Sequence, residues 1–126
     1  MPYKFNIMRN FKELEVWKEG RVLVKDIYLL TKSLPEDKKF GLTSQIKRCV
    51  ISIPSNIAEG TAKDSQKDFA RFLQISLGSS FELESHLILS LDLEIINTEK
   101  TIICLENIQR LQRRISSFIK YVSAKT

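Results

Sequence analysis

The sequence predicts an all-α fold, an antiparallel up-and-down four-helix bundle in one domain. Three observations predict it. Apolar residues recur at three- and four-residue spacing through four long stretches. Short segments with helix caps or breakers separate those stretches. No repeat, low-complexity run or domain linker divides the chain. At 126 residues, 43% hydrophobic and 28% charged, the chain suits a single globular domain with a core of useful size. Residues 1–126 are expected to form that domain, with an N-terminal arm over 1–11 and a frayed tail over 123–126.

The first helix is expected from about Lys12 to Ser33, with Trp17, Gly20, Val24, Ile27, Tyr28 and Thr31 facing inward. A mid-helix glycine costs about 1 kcal/mol relative to alanine, so Gly20 suggests close approach of another backbone. Leu34-Pro35-Glu36-Asp37 closes this helix and opens the next, with proline and acids suited to a first turn.

The second helix spans Gly41 to Gly60. At about 100° per residue it gathers Leu42, Ile46, Cys49, Val50, Ile53 and Ile57 into one stripe. Beside the stripe runs a polar row of Gln45, Arg48, Ser52, Asn56 and Glu59. Partly desolvated polar groups need partners, so the row should face another helix, with Glu82 or Glu84 completing a structural network. Pro54 removes a backbone hydrogen bond and crowds the preceding turn, which predicts a kink there. Ser52 would then either cap the second half or donate to a freed carbonyl. Gly60 is the expected helix stop.

Ser65, with Asp68 three residues on, reads as the cap of a third helix reaching about Leu93. One face carries Phe69, Phe72, Leu73, Ser76, Ser80, Leu83, Leu87 and Leu91. Ile75, Phe81, Ile88, Leu89 and Leu93 lie outside that face, more apolar surface than one interior needs, which predicts a second contact surface. Asn97-Thr98-Glu99 opens the fourth helix, whose Cys104, Ile108, Leu111, Ile115, Phe118 and Val122 follow a bundle seam. Arg110, Arg113, Arg114 and Lys120 lie opposite that seam.

The motif Gly41-Leu42-Thr43-Ser44-Gln45-Ile46 with Ser52-Ile53-Pro54-Ser55-Asn56-Ile57-Ala58-Glu59-Gly60 resembles the signature of the bacterial helical proteins found as reading frames inside 23S ribosomal RNA intervening sequences. Leu14-Glu15-Val16-Trp17, Ile27-Tyr28-Leu29-Leu30-Thr31, Phe69-Ala70-Arg71-Phe72-Leu73 and Gly78-Ser79-Ser80-Phe81-Glu82-Leu83-Glu84 match the same pattern. The likeness covers residues 11–91. It implies a four-helix bundle assembled into a ring-like homo-oligomer, a pentamer. It also implies similarity to the accessory variability determinant protein of diversity-generating retroelements, which binds RNA and a reverse transcriptase.

Twenty Lys and Arg against 15 Asp and Glu give a net charge of +5, a mild basic excess that favours a polyanionic partner. Arg110, Arg113, Arg114 and Lys120, joined by Lys47 or Arg48, form the candidate RNA-binding face. The competing reading is an ordinary solvated face. Aromatic residues are not interleaved with these charges, so binding should be to the backbone and weakly sequence-specific.

Catalytic, metal and cofactor sites are not expected. His86 is the single histidine, without the glutamate three residues before it that a di-iron helix requires. Its nearest preceding arginine, Arg71, is too distant for the spacing found in small helical ribonucleases. Cys49 and Cys104 are far apart in sequence and read as core thiols. The four glycines stand singly, without a phosphate-cradling loop. No stretch has the length of a signal-peptide core or membrane span, so the expected location is the cytoplasm, with no small-molecule substrate.

Overall fold

The computed structural model describes residues 9–35 and 39–125, with side chains from Gly41 onward in the second segment. Among these residues the architecture is all helical: α1 (Glu15–Thr31), α2 (Ser44–Thr61), α3 (Gln66–Asp92) and α4 (Thr98–Ser123). A 3-10 turn, Phe11–Glu13, precedes α1, and a π-helical turn, Lys39–Thr43, precedes α2. Each helix packs on the next in sequence and α4 returns to α1; the α2–α3 seam is the most extensive of these contacts, and α1–α4 the least.

The chain starts α1 later than its periodicity suggests. Asn10 caps the 3-10 turn by accepting from the Lys12 amide, and extended Leu14 separates that turn from the helix. The inward row is also rotated by one position. Val16, Gly20, Leu23, Ile27, Leu30 and Thr31 are buried, while Trp17, Val24 and Tyr28 pack half-buried along the edge. Trp17 meets Phe11 edge-on at 5.0 Å and carries Arg21 over its face. A large ring with a polar handle gains most at such a rim.

Gly20 is buried against Pro54, whose Cβ would lie 3.4 Å from an added methyl. This is the close approach its sequence position suggests. Pro54 is itself buried, and α2 continues across it from Ser44 to Thr61. Gly60 does not stop α2 in a left-handed conformation, because the helix includes Thr61 and ends on right-handed Ala62. Its hydrogen instead admits α3: a Cβ there would stand 2.8 Å from Phe72 Cβ and 3.0 Å from Phe69 Cδ1.

The predicted caps form. Ser65 accepts from the Asp68 amide at 3.0 Å and Asn97 from the Lys100 amide at 2.8 Å. On α3, Ser76 and Ser80 are buried among Phe69, Leu73, Leu83 and Leu87, and Ser76 Oγ donates to the Ile53 carbonyl of α2 at 2.8 Å. Phe72 and Leu91 are only half-buried, with Ala70 and Ser90 taking inward places. Ile75, Phe81, Ile88, Leu89 and Leu93 are all exposed, as are Ile102 and Ile103 on α4. In α4 the buried row ends Ile115, Ile119, Val122; Phe118 is displaced to the edge, against Phe69 at 5.8 Å. The expected junction residues Glu36 and Asp37 and most of the N-terminal arm lie outside the described residues. Where the arm is described it is docked, since Arg9 donates to the Lys63 carbonyl at 2.7 Å and to Gln66 and lies over Phe69.

Candidate functional site

Three arginines of α4 converge on one groove. Arg110, Arg113 and Arg114 occupy positions i, i+3 and i+4 and therefore share a helix face. Together with Ser117 and Phe118 they oppose Leu14, Glu15 and Val16 across a depression of about 500 Å³. Arg110 also borders a second depression, about 230 Å³, lined by Glu19, Val22 and Asp26 of α1. A third, about 330 Å³, continues past Asp26 and Asn107 to Leu29, Leu30, Ile103 and Cys104. The α1–α4 seam is thus a valley, with three arginines and Glu15 at one end and an apolar wall with Asp26 and Lys100 at the other. The limited packing of α4 on α1 leaves it open.

Arg114 pairs with Glu19 and Arg110 Nη2 donates to Asn107 at 2.7 Å. Among the described residues no carboxylate pairs with Arg110 or Arg113. Glu19 was not singled out from sequence, yet it orients one arginine of the three. Lys120 is exposed on the same helix but is not part of the groove wall. Lys47 does not join the arginines either. Its ammonium lies 4.9 Å from the Tyr28 ring, and Tyr28 is 13 residues, about 20 Å of helix, beyond Glu15.

The polar row of α2 divides into two clusters. Arg48 donates to Gln45 at 2.6 Å and to Glu82 of α3 at 2.8 Å. This pair is 58% and 44% exposed, so it is a wet bridge and not a buried network. One turn on, Ser52 and Ser79 share a hydrogen bond at 2.8 Å, and Asn56 Nδ2 donates to the Ser52 carbonyl and hydroxyl at 2.9 Å. Asn56 therefore uses Ser52 as an acceptor, and the Ser52 hydroxyl reaches α3, in neither of the roles expected for it. Glu59 is exposed and outside both clusters. Glu84 faces a different neighbour, accepting from Gln112 at 2.8 Å and Gln109 at 3.0 Å on α4. The helical phase explains this: two residues of separation turn Glu84 about 200° from Glu82.

The fold also joins residues whose sequence separation hid them. Cys49 of α2 meets Glu82 and His86 of α3, with one ligand atom from each all within 4.8 Å of one another. Burial pushes the Cys49 thiol up to about 11, and contact with the Glu82 carboxylate adds to the rise against the opposing pull of Arg48. The same thiol contact is the main cause holding Glu82 below the usual carboxylate range, helped by Arg48 and His86 and opposed by desolvation. His86 Nε2 stands 3.5 Å from Glu82, an ion-pair separation without hydrogen-bond geometry, and both ring nitrogens are enclosed with no hydrogen-bond partner. The sequence signal was available in Glu82-x-x-x-His86, two ligand types one turn apart, but nothing in the spacing tied them to Cys49.

Among the described residues no helix is long and apolar enough to cross a membrane.

A family model described as 23S rRNA-intervening sequence protein matches residues 12–117. A solved structure of a protein of unknown function from the S23 ribosomal protein family of Bacteroides thetaiotaomicron is similar, at 30% sequence identity and a TM-score of 0.77. The likeness covers 83% of this chain and 98% of that one. No curated protein matches the chain.

Proposed function

The chain belongs to the 23S rRNA-intervening sequence protein family, and from that premise we propose that it is a non-enzymatic, homo-oligomeric binding or scaffold protein that engages RNA or a ribonucleoprotein. The observation that carries this reading is the groove into which Arg110, Arg113 and Arg114 project between α1 and α4. Guanidinium groups one turn apart meet successive phosphates with charge-assisted hydrogen bonds. Phe118, stacked on Tyr121, is the one aromatic in the groove's lining, so contacts are chiefly to the backbone and sequence preference is weak. The binding role needs neither cofactor nor small-molecule substrate, and the working location is the cytoplasm.

The oligomer is proposed on separate ground. Phe81, Ile88 and Leu89 on α3 border an exposed depression of about 290 Å³. Apolar surface of this kind suits contact with another copy. A ring, with a pentamer as its expected size, would repeat the arginine groove around one assembly and multiply a modest affinity per chain. Within each copy the proposed arrangement is an antiparallel up-and-down bundle with α2 bent at Pro54. The resemblance to the accessory variability determinant protein extends the possible partners to a reverse transcriptase-like protein.

A salt titration of RNA affinity tests the binding role. Three phosphate contacts predict a log–log slope of about −2 per chain on single-stranded RNA. The triple variant Arg110→Gln, Arg113→Gln, Arg114→Gln should lose binding and keep its sedimentation coefficient. Neutral glutamine is preferable to glutamate because an acid at 114 would face Glu19. Failure to bind RNA at low salt, with the oligomer intact, would instead favour a purely structural assembly that docks a protein on its apolar surface.

A further inference from the structure

We propose that Cys49, Glu82 and His86 form a binding site for one zinc-class divalent ion that ties α2 to α3. The three donors come from two helices. Glu82 and His86 sit one turn apart on the same face of α3, and Cys49 faces them from the buried stripe of α2. Zinc bonds sulfur at about 2.3 Å and nitrogen or oxygen at about 2.0–2.2 Å, so tetrahedral donors stand roughly 3.3–3.8 Å apart. The donors here lie within 4.8 Å of one another, about 1 Å above the upper end of that range.

The imidazole supplies an independent indication. Its two nitrogens are enclosed without a hydrogen-bond partner although the side chain retains 21% exposure. A buried polar atom in that condition is costly unless something satisfies it, and a metal ion takes up the lone pair on one of the two nitrogens. The donor set selects the ion. One thiolate and one imidazole suit zinc, while magnesium and calcium require oxygen ligands throughout.

Arg48 has a place in this arrangement. Held by Gln45 and bonded to Glu82 at 2.8 Å, it orients the carboxylate from outside, as partners of metal ligands commonly do. On binding, the Cys49 sulfur releases its proton to solvent and forms the metal–sulfur bond. Three protein ligands leave a fourth position for water. Glu82, 44% exposed, provides the entry path. None of this depends on RNA binding.

Cobalt(II) titration of untagged, chelator-treated protein under reducing conditions reads the site directly. We expect one ion per chain, a thiolate-to-cobalt charge-transfer band and tetrahedral visible bands, all reversed by added zinc. Cys49→Ala should lose the charge-transfer band. His86→Gln and Glu82→Gln, at partly exposed positions, should keep the fold by circular dichroism and weaken binding at least about tenfold. Zinc should raise the thermal midpoint of the unsubstituted protein and not that of Cys49→Ala. A spectrum without the thiolate band, a band that survives in Cys49→Ala and so comes from Cys104, or unchanged affinity in His86→Gln would each overturn the assignment.

Discussion

At residue scale, the two buried glycines separate two uses of a missing side chain. A methyl at Gly60 would stand 2.8 Å from Phe72 Cβ and must push α3 away, whereas at Gly20 the nearest atom is 3.4 Å distant. Gly60→Ala should therefore destabilise by about 1–3 kcal/mol, as overpacking does. Gly20→Ala should be neutral or stabilising by up to about 1 kcal/mol, from helix propensity alone. Urea midpoints of the two variants check the contrast. Cys49 gives a pH prediction. Its folded pKa is raised from 9.0 to about 11, so its contribution is intact below pH 9 and is lost as pH rises through 11. The loss is on the order of 2 kcal/mol. Cys49→Ala should show a correspondingly smaller decline over that window, with the titration of lysines and tyrosines common to both proteins.

At element scale, the α2–α3 seam is held by small side chains and specific hydrogen bonds. Ser76→Ala removes the donor to the Ile53 carbonyl and should cost about 1 kcal/mol. Arg9→Ala should loosen the α2–α3 turn, read as faster amide exchange at residues 61–66, because Arg9 holds the Lys63 carbonyl and Gln66 together. These seams also mark how far sequence could be read. Caps were legible because Ser65 and Asn97 act on amides three residues away. The outward apolar residues of α3 were legible because their helical phase sets them apart from the inward face, and they are exposed. The register of α4 drifted: a strict seven-residue seam places Phe118 inside, but a straight helix advances about 20° per heptad, and Ile119 is buried instead. The arginine groove was half legible, three positions on one face of α4 without the α1 wall. Charge alone groups Lys47 with it, because sequence does not reveal which end of a neighbouring helix a residue reaches. Cys49, Glu82 and His86 needed the pairing of α2 with α3.

At the scale of the whole molecule, the four α-helices among the described residues cover one core and leave Phe81, Ile88, Leu89 and Leu93 exposed. If that surface joins copies, Phe81→Lys with Leu89→Lys should reduce the sedimenting mass to one chain without loss of helical circular dichroism. The central claim is that the α1–α4 groove binds RNA backbone through its arginines. Fluorescence anisotropy of labelled single-stranded RNA across a salt series, for the unsubstituted protein and the Arg110→Gln, Arg113→Gln, Arg114→Gln variant, tests it most directly. A log–log slope of about −2 per chain, abolished in the variant, is the predicted result. Equal affinity and equal slope in the two proteins would contradict it.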